Sequence, residues 1–249
     1  MQHPPIDPQR RPPPNYPLDS IPDRKRPRNA KDLSLELQRA EAATVERVAP
    51  LPEEAWRWRP SQGGWCVAQI LEHLARVNRS YSDFMEKALD KNLQRSSTGS
   101  GGPDSPSDAA PSNIDPSTSD QGAATADEAE ERRFVPRLFE GWFIAFLEPP
   151  PRWKMPAPRR ATLRGETYPP RDRILDDYRQ SLAVLYRLLE EIPESCLGRV
   201  RFPDPYFPPF RLTLGGGFAT LAAHERRHHL QLRNLLERPE FGLEAALEE

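Results

Sequence analysis

Apolar residues recur every three to four positions along four stretches of this chain, the spacing that lines one face of an α-helix. The first stretch, 31–49, aligns Leu33, Leu37, Ala40, Thr44, Val45 and Val48 and stops at Pro50. The second, 66–92, carries Val67, Ile70, Leu71, Leu74, Val77, Tyr81, Phe84, Met85 and Ala88. The third, 171–191, aligns Ile174, Leu175, Tyr178, Leu182, Leu185, Leu188 and Leu189 ahead of Pro193. The fourth, 214–237, aligns Leu214, Phe218, Leu221, Leu232, Leu235 and Leu236, and Pro239 ends it. Each stripe needs the others to leave water. The pattern therefore predicts an all-α fold, a four-helix up-down bundle.

The intervening stretches break this pattern. Residues 1–30 hold nine of the chain's 30 prolines and close on Arg24-Lys25-Arg26-Pro27-Arg28. Proline fixes φ and removes a donor, so a disordered Pro/Arg-rich tail is expected there. Residues 94–127 contain one large apolar residue, Ile114, and no aromatic. Such a segment cannot bury enough surface to offset its ordering entropy, and reads as a disordered insertion between helices two and three. A further helix is expected over 128–147, interrupted by Pro136 and Gly141, with extended chain over 148–170 and 199–213. Strands can only be short, because sustained alternation is absent. The organisation expected is one domain over 31–237, with a loose tail over 238–249 and no internal repeat.

Composition narrows the function. Against 35 Lys+Arg stand 37 Asp+Glu, a net charge of −2. That balance argues against a nucleic-acid partner, which favours a strongly basic surface. No apolar run approaches the roughly 20 residues that cross a bilayer, so no membrane partner is expected. The chain opens on MQHPPIDPQRRPPP, without an apolar stretch, and its two cysteines, Cys66 and Cys196, are too few for a disulfide framework. A cytoplasmic, reducing location follows as the expectation.

The histidines carry the chemistry. His3 lies in the tail. His224 and His228 are spaced i, i+4, so they lie about 40° apart on the face of Leu221, Leu232 and Leu235. His73 turns partly inward on the second stripe, while His229 falls toward the edge of the fourth. A lone histidine on an apolar face is ordinarily a satisfied core residue. Two side by side are costly to bury unless their nitrogens have partners, and one divalent ion satisfies both. His73 would complete a three-histidine set with open positions. Cys66, at a helix N-terminus, reads either as a nucleophile or as a small residue at the edge of the core. Trp142, Phe143, Phe146 and Trp153 either roof the pocket or cover the open seam of the bundle.

His224-Glu225-Arg226-Arg227-His228 also spells H-E-x-x-H. The longer protease form needs Gly and His where Gln231 and Asn234 stand, and only 21 residues follow His228. A metalloprotease is therefore the weaker reading. Glu225 lies about 100° from His224, which points to a solvent-facing helix glutamate rather than a base. Gln231 and Asn234 read likewise as surface residues.

At these residues the chain resembles the DinB/YfiT-like superfamily of metal-binding four-helix bundles. The likeness begins at Leu51-Pro52, continues through Trp58-Arg59-Pro60 and Gly63-Gly64-Trp65, and enters helix two as Cys66-Val67-Ala68-Gln69-Ile70-Leu71-Glu72-His73-Leu74. It resumes at Leu212-Thr213-Leu214 and runs from Leu221 through His224 and His228 to Gln231. The resemblance implies that His73, His224 and His228 are the metal ligands. It implies zinc, nickel, iron or manganese as the divalent ion. It also implies a bacterial, cytoplasmic protein that often pairs as a homodimer. Family members include S-transferases that use low-molecular-weight thiols, a thiol-dependent isomerase, and proteins without known activity. The chain departs from the family at Cys66, where Ser or Thr often caps helix two, although Gln69 keeps the far half of a capping box.

Three functions follow as expectations. The first is a metal-dependent transferase or hydrolase that activates a thiol or water toward an electrophilic substrate. The second is a non-catalytic, stress-associated metal-binding bundle. The third is an interaction protein that uses its proline-rich arm.

Overall fold

The computed structural model describes residues 28–98, 134, 136–150 and 168–241. Residues 1–27 of the tail expected over 1–30, 99–127 of the insertion expected over 94–127, and 242–249 of the tail expected over 238–249 lie outside the described residues. So do Trp153 and most of the stretch expected to be extended over 148–170.

Helix α1 spans Ala30–Val48 and starts on a reciprocal cap. The Asn29 side chain accepts from the Asp32 N–H at 2.8 Å, and the Asp32 carboxylate accepts from the Asn29 N–H at 3.3 Å. Two of the orphan donors of the first turn are thereby satisfied. A short α2, Glu53–Arg57, buries Trp56. Helix α3 runs Val67–Thr98, with the Cys66 N–H donating to Gln69 Oε1 at 3.2 Å, the half-cap expected from the sequence. It outlasts its apolar stripe, so residues 94–98 are helical where the insertion was expected to begin. Helix α4 is Leu138–Leu147: Pro136 precedes it and Gly141 sits within it without a break. Helices α5, Arg171–Glu191, and α6, Glu194–Leu197, follow. A three-residue hairpin, β1 Arg201–Pro203 with β2 Arg211–Thr213, pairs Phe202 with Leu212 and leads into α7, Leu214–Leu236. The segment 199–213, expected to be extended, is this hairpin. Residues 239–241 form a 3-10 turn whose Phe241 sets its ring edge-on to Trp58 at 5.2 Å. At the end of the N-terminal tail, Arg28 pairs backbone-to-backbone with Phe134.

α1, α3, α5 and α7 form the bundle. α1 packs against α5 and α7, and so does α3, which puts α1 and α3 on one diagonal. The cross-helix pairs give the directions. Asn78 with Ser181 and Glu86 with Arg187 advance together, so α3 and α5 are parallel. Glu36 with Arg226 and Thr44 with His229 make α1 and α7 parallel. The Ala30 N–H meets Glu194 after α5, and the Arg171 N–H meets Glu53 before it, so α1 and α5 are antiparallel. The order is up, down, down, up. The parallel pair α3/α5 is the one joined by the long stretch 99–170, which a crossover requires. No helix among the described residues is long and apolar enough to cross a membrane.

α7 is held on every side. Its first turn is Gly215-Gly216-Gly217, and a Cβ at Gly217 would stand 2.3 Å from Met85 Cε and 2.6 Å from Phe202 Cζ. The bare backbone lets α3 and the hairpin close onto the helix. Further along, Arg226 is buried between Glu148, which takes two of its donors, and Glu36 at 3.3 Å. Glu36 in turn accepts from Arg28 Nε at 3.2 Å. This chain of charges ties α1 and the end of α4 to α7, next to the histidines.

Candidate metal centre

His73 lies two turns into α3, and His224 and His228 lie on the facing stretch of α7. The antiparallel packing of these helices brings all three imidazoles together. His73 Nε2 is 3.2 Å from His224 Nε2, and His228 Nε2 is 3.1 Å from the same atom. The ligand-capable nitrogens of the trio all lie within 4.8 Å of one another. Trp65, just before α3, walls the cluster: its indole stacks on His228 at 6.0 Å and 4°, and sets its edge to His73 at 4.9 Å.

The electrostatics leave lone pairs on offer. Burial, then the neighbouring imidazoles His228 and His73, holds His224 well below the usual histidine range. Burial, then His73, holds His228 well below it as well, against an opposing hydrogen bond from Gln231. Both rings are therefore neutral at pH 7, the form that ligates metal. His228 Nδ1 donates to Gln231 Oε1 at 2.8 Å, which leaves the lone pair of His228 on Nε2, inside the cluster.

With His224 and His228 neutral, three Nε2 atoms that converge on His224 cannot all be satisfied among themselves. If the His224 Nε2–H donates to its neighbours, a lone pair remains on His224 Nδ1, which is buried without a partner. A cation held by the three Nε2 lone pairs removes the conflict among those atoms, with the His224 proton on Nδ1. With bonds of about 2.0–2.1 Å, the two pairs that include His224, 3.1 and 3.2 Å apart, subtend about 95–105° at one ion, between octahedral and tetrahedral values, and all three nitrogens lie within 4.8 Å of one another. The residues present fit a divalent metal.

Glu225 corrects the sequence reading. It is fully buried rather than solvent-facing, and accepts from Asn78 Nδ2 at 2.9 Å and from the Tyr178 hydroxyl at 2.8 Å. Burial pushes its carboxyl up to about 7, against the pull of those two hydrogen bonds. Its oxygens are engaged by α3 and α5, so the H-E-x-x-H pattern does not place a free base beside the cluster. His229 is buried too, with Nδ1 3.5 Å from Thr44 Oγ1 on α1, apart from the trio. Cys66 and Cys196 are buried free thiols. Phe143 of α4 lines a cavity beside His73 and His224, whereas Trp142 faces solvent.

The sequence places Gln231 on the surface, and only its position three residues after His228 signals its contact with the ring. Trp65 was visible as part of a motif but not as a wall, because its approach depends on how the turn before α3 folds back.

No curated protein and no solved structure matches the chain. A family model does: that of the DinB superfamily matches residues 36–232, from within α1 to within α7 and across all three histidines. A match over this much of the chain, on a bundle whose facing helices gather those histidines, makes the protein a member of the DinB superfamily.

Proposed function

We propose that this protein holds one divalent metal ion, zinc, nickel, iron or manganese, through His73, His224 and His228, and is a metal-dependent transferase or hydrolase. Its nucleophile would be a low-molecular-weight thiol or a water. The convergence of three Nε2 atoms, with burial keeping the His224 and His228 rings neutral, carries this reading. Bound there, a divalent cation would lower the pKa of a thiol or water and supply a nucleophile at neutral pH. The protein's own part is positional. Gln231 fixes the tautomer of His228, Trp65 covers one side of the rings, and the cavity beside Phe143 leaves room for a small reactant. Engagement of Glu225 by Asn78 and Tyr178 speaks against protease chemistry.

Metal analysis of untagged full-length protein tests the site. Wild type should carry about one ion per chain, as three ligands at one point require. His73→Ala, His224→Ala and His228→Ala should each lose most of it, whereas His229→Ala should keep it. Full metal in all four variants, or none in the wild type, would sink the reading. Conversion of 1-chloro-2,4-dinitrobenzene by metal-loaded protein with a small thiol distinguishes a transferase from a non-catalytic metal-binding bundle.

A further inference from the structure

A helix lying on a bundle ordinarily turns polar residues outward. α4 turns apolar ones outward instead: Leu138 is 95% exposed, Phe139 43% and Trp142 62%. Phe210, just before β2, is 39% exposed and sets its ring 4.8 Å from Phe139. The rings continue on either side of this pair. Trp142 lies 5.9 Å from Phe139 and stacks on Phe146 at 5.8 Å. Phe207 lies 6.2 Å from Phe210 and 6.4 Å from Phe143. Six rings thus form one belt across α4 and the loop of the hairpin. Single exposed apolar residues are ordinary, but a contiguous patch marks a docking surface.

The point where the N-terminal arm joins the fold indicates the occupant. Arg28 and Phe134 exchange both backbone hydrogen bonds, at 2.8 and 2.7 Å, in an antiparallel bridge. In such a pair the chain before Arg28 leaves along the course that the chain after Phe134 takes. That course leads through Pro136 to Leu138, only four residues on. The arm therefore starts out toward the patch. Its composition fits the rings. Residues 11–18 read Arg-Pro-Pro-Pro-Asn-Tyr-Pro-Leu, with Pro14 and Pro17 in P-x-x-P spacing. Segments of this kind favour the polyproline II helix, lose little entropy on binding, and dock on surfaces lined by aromatic rings. Ten residues, 18–27, separate Pro17 from Arg28 and reach about 31 Å at about 3.1 Å each. The exposed turn from Leu138 to Trp142 spans about 6 Å, well within that reach. We propose that residues 11–18 dock as a polyproline II segment on the belt, against Phe139, Trp142 and Phe210 of the same chain. This docking needs no metal at the histidines.

Photo-cross-linking of the full-length chain tests the docking. Trp142→p-benzoylphenylalanine and, as a second probe, Phe210→p-benzoylphenylalanine each keep an aromatic ring at an exposed position of the belt. Arg187→p-benzoylphenylalanine, at a half-exposed position on α5, is the control. After irradiation, tryptic mapping of the monomer should find both belt probes joined to the peptide 11–24, and the control should not capture it. Replacing Pro12, Pro13, Pro14 and Pro17 together by Ser should at least about halve that product, since each proline lost weakens docking by about two- to fivefold. Equal capture from position 187 would mean random encounters and overturns the proposal. Attachment of the belt probes to any other segment, attachment only between two copies, or no attachment from either probe overturns it as well. So does a yield that is indifferent to loss of the four prolines.

Discussion

Gln231 Oε1 stands 2.8 Å from His228 Nδ1, less than one turn further along the same helix. Such a contact locks both the tautomer and the rotation of a ligand ring, so its removal acts through the metal rather than through the fold. Gln231→Ala should weaken metal binding by about tenfold, and Gln231→Glu should preserve or strengthen it. Competition titration with a chelating dye measures both. Melting of the metal-free proteins should hardly differ, since Gln231 is only partly buried. Equal metal affinity in Gln231→Ala and wild type would mean that α7 alone orients the ring.

Glu225 gives the metal-free fold a pH dependence of known sign. Its carboxyl rises from the ordinary 4.5 to about 7 in the folded state. The folded protein therefore binds the proton more tightly than the unfolded chain, and this group's contribution to stability falls as pH rises from about 4.5 to 7. His224 and His228, both held below the usual range, act in the opposite sense: they remove stability as pH falls below about 6.5. Comparison with Glu225→Gln isolates the carboxyl. In chelated protein the variant should gain on wild type as pH climbs from 5 to 7 and then level off, by at most about 3 kcal/mol. Urea unfolding at several pH values reads the difference. A difference independent of pH would show that the carboxyl is not protonated in the fold.

The same two residues show what the sequence could and could not tell. The apolar stripes marked α5 at its observed ends and α1 and α7 to within a residue, because Pro50, Pro193 and Pro239 close those helices where burial also stops. α3 ran past its stripe, because its backbone hydrogen bonds continue after Leu89, the last buried residue among the described side chains of the helix. The three histidines were legible from inward angles and i, i+4 spacing. Glu225 and Arg226 were not. A polar residue on a helix is assigned to solvent unless its partner is known. Here the partners are Tyr178 and Glu148, 47 and 78 residues away. The four-sided burial of α7 comes from that distant complementarity, which no local periodicity reports.

Two glycines within helices should respond oppositely to the same substitution. At Gly141, inside α4, an added Cβ meets nothing within 4 Å. Gly141→Ala should therefore keep only the gain in helix propensity and stabilise the fold by about 0.5–1 kcal/mol. At Gly217 that gain is offset by contacts of 2.3 Å with Met85 and 2.6 Å with Phe202. The Met85 methyl can swing aside, but the Phe202 ring is fully buried in the hairpin and must carry β1 with it. Overpacking of this kind costs about 1–3 kcal/mol, so Gly217→Ala should be net destabilising, by about 1–2 kcal/mol. Pushing β1 outward also shifts the first turn of α7, two turns before His224, so metal affinity should drop in Gly217→Ala and stay unchanged in Gly141→Ala. Thermal melts with and without chelator separate the two effects. Stabilisation by both substitutions would mean that the hairpin yields freely and that the bare backbone at Gly217 is not what seats α7.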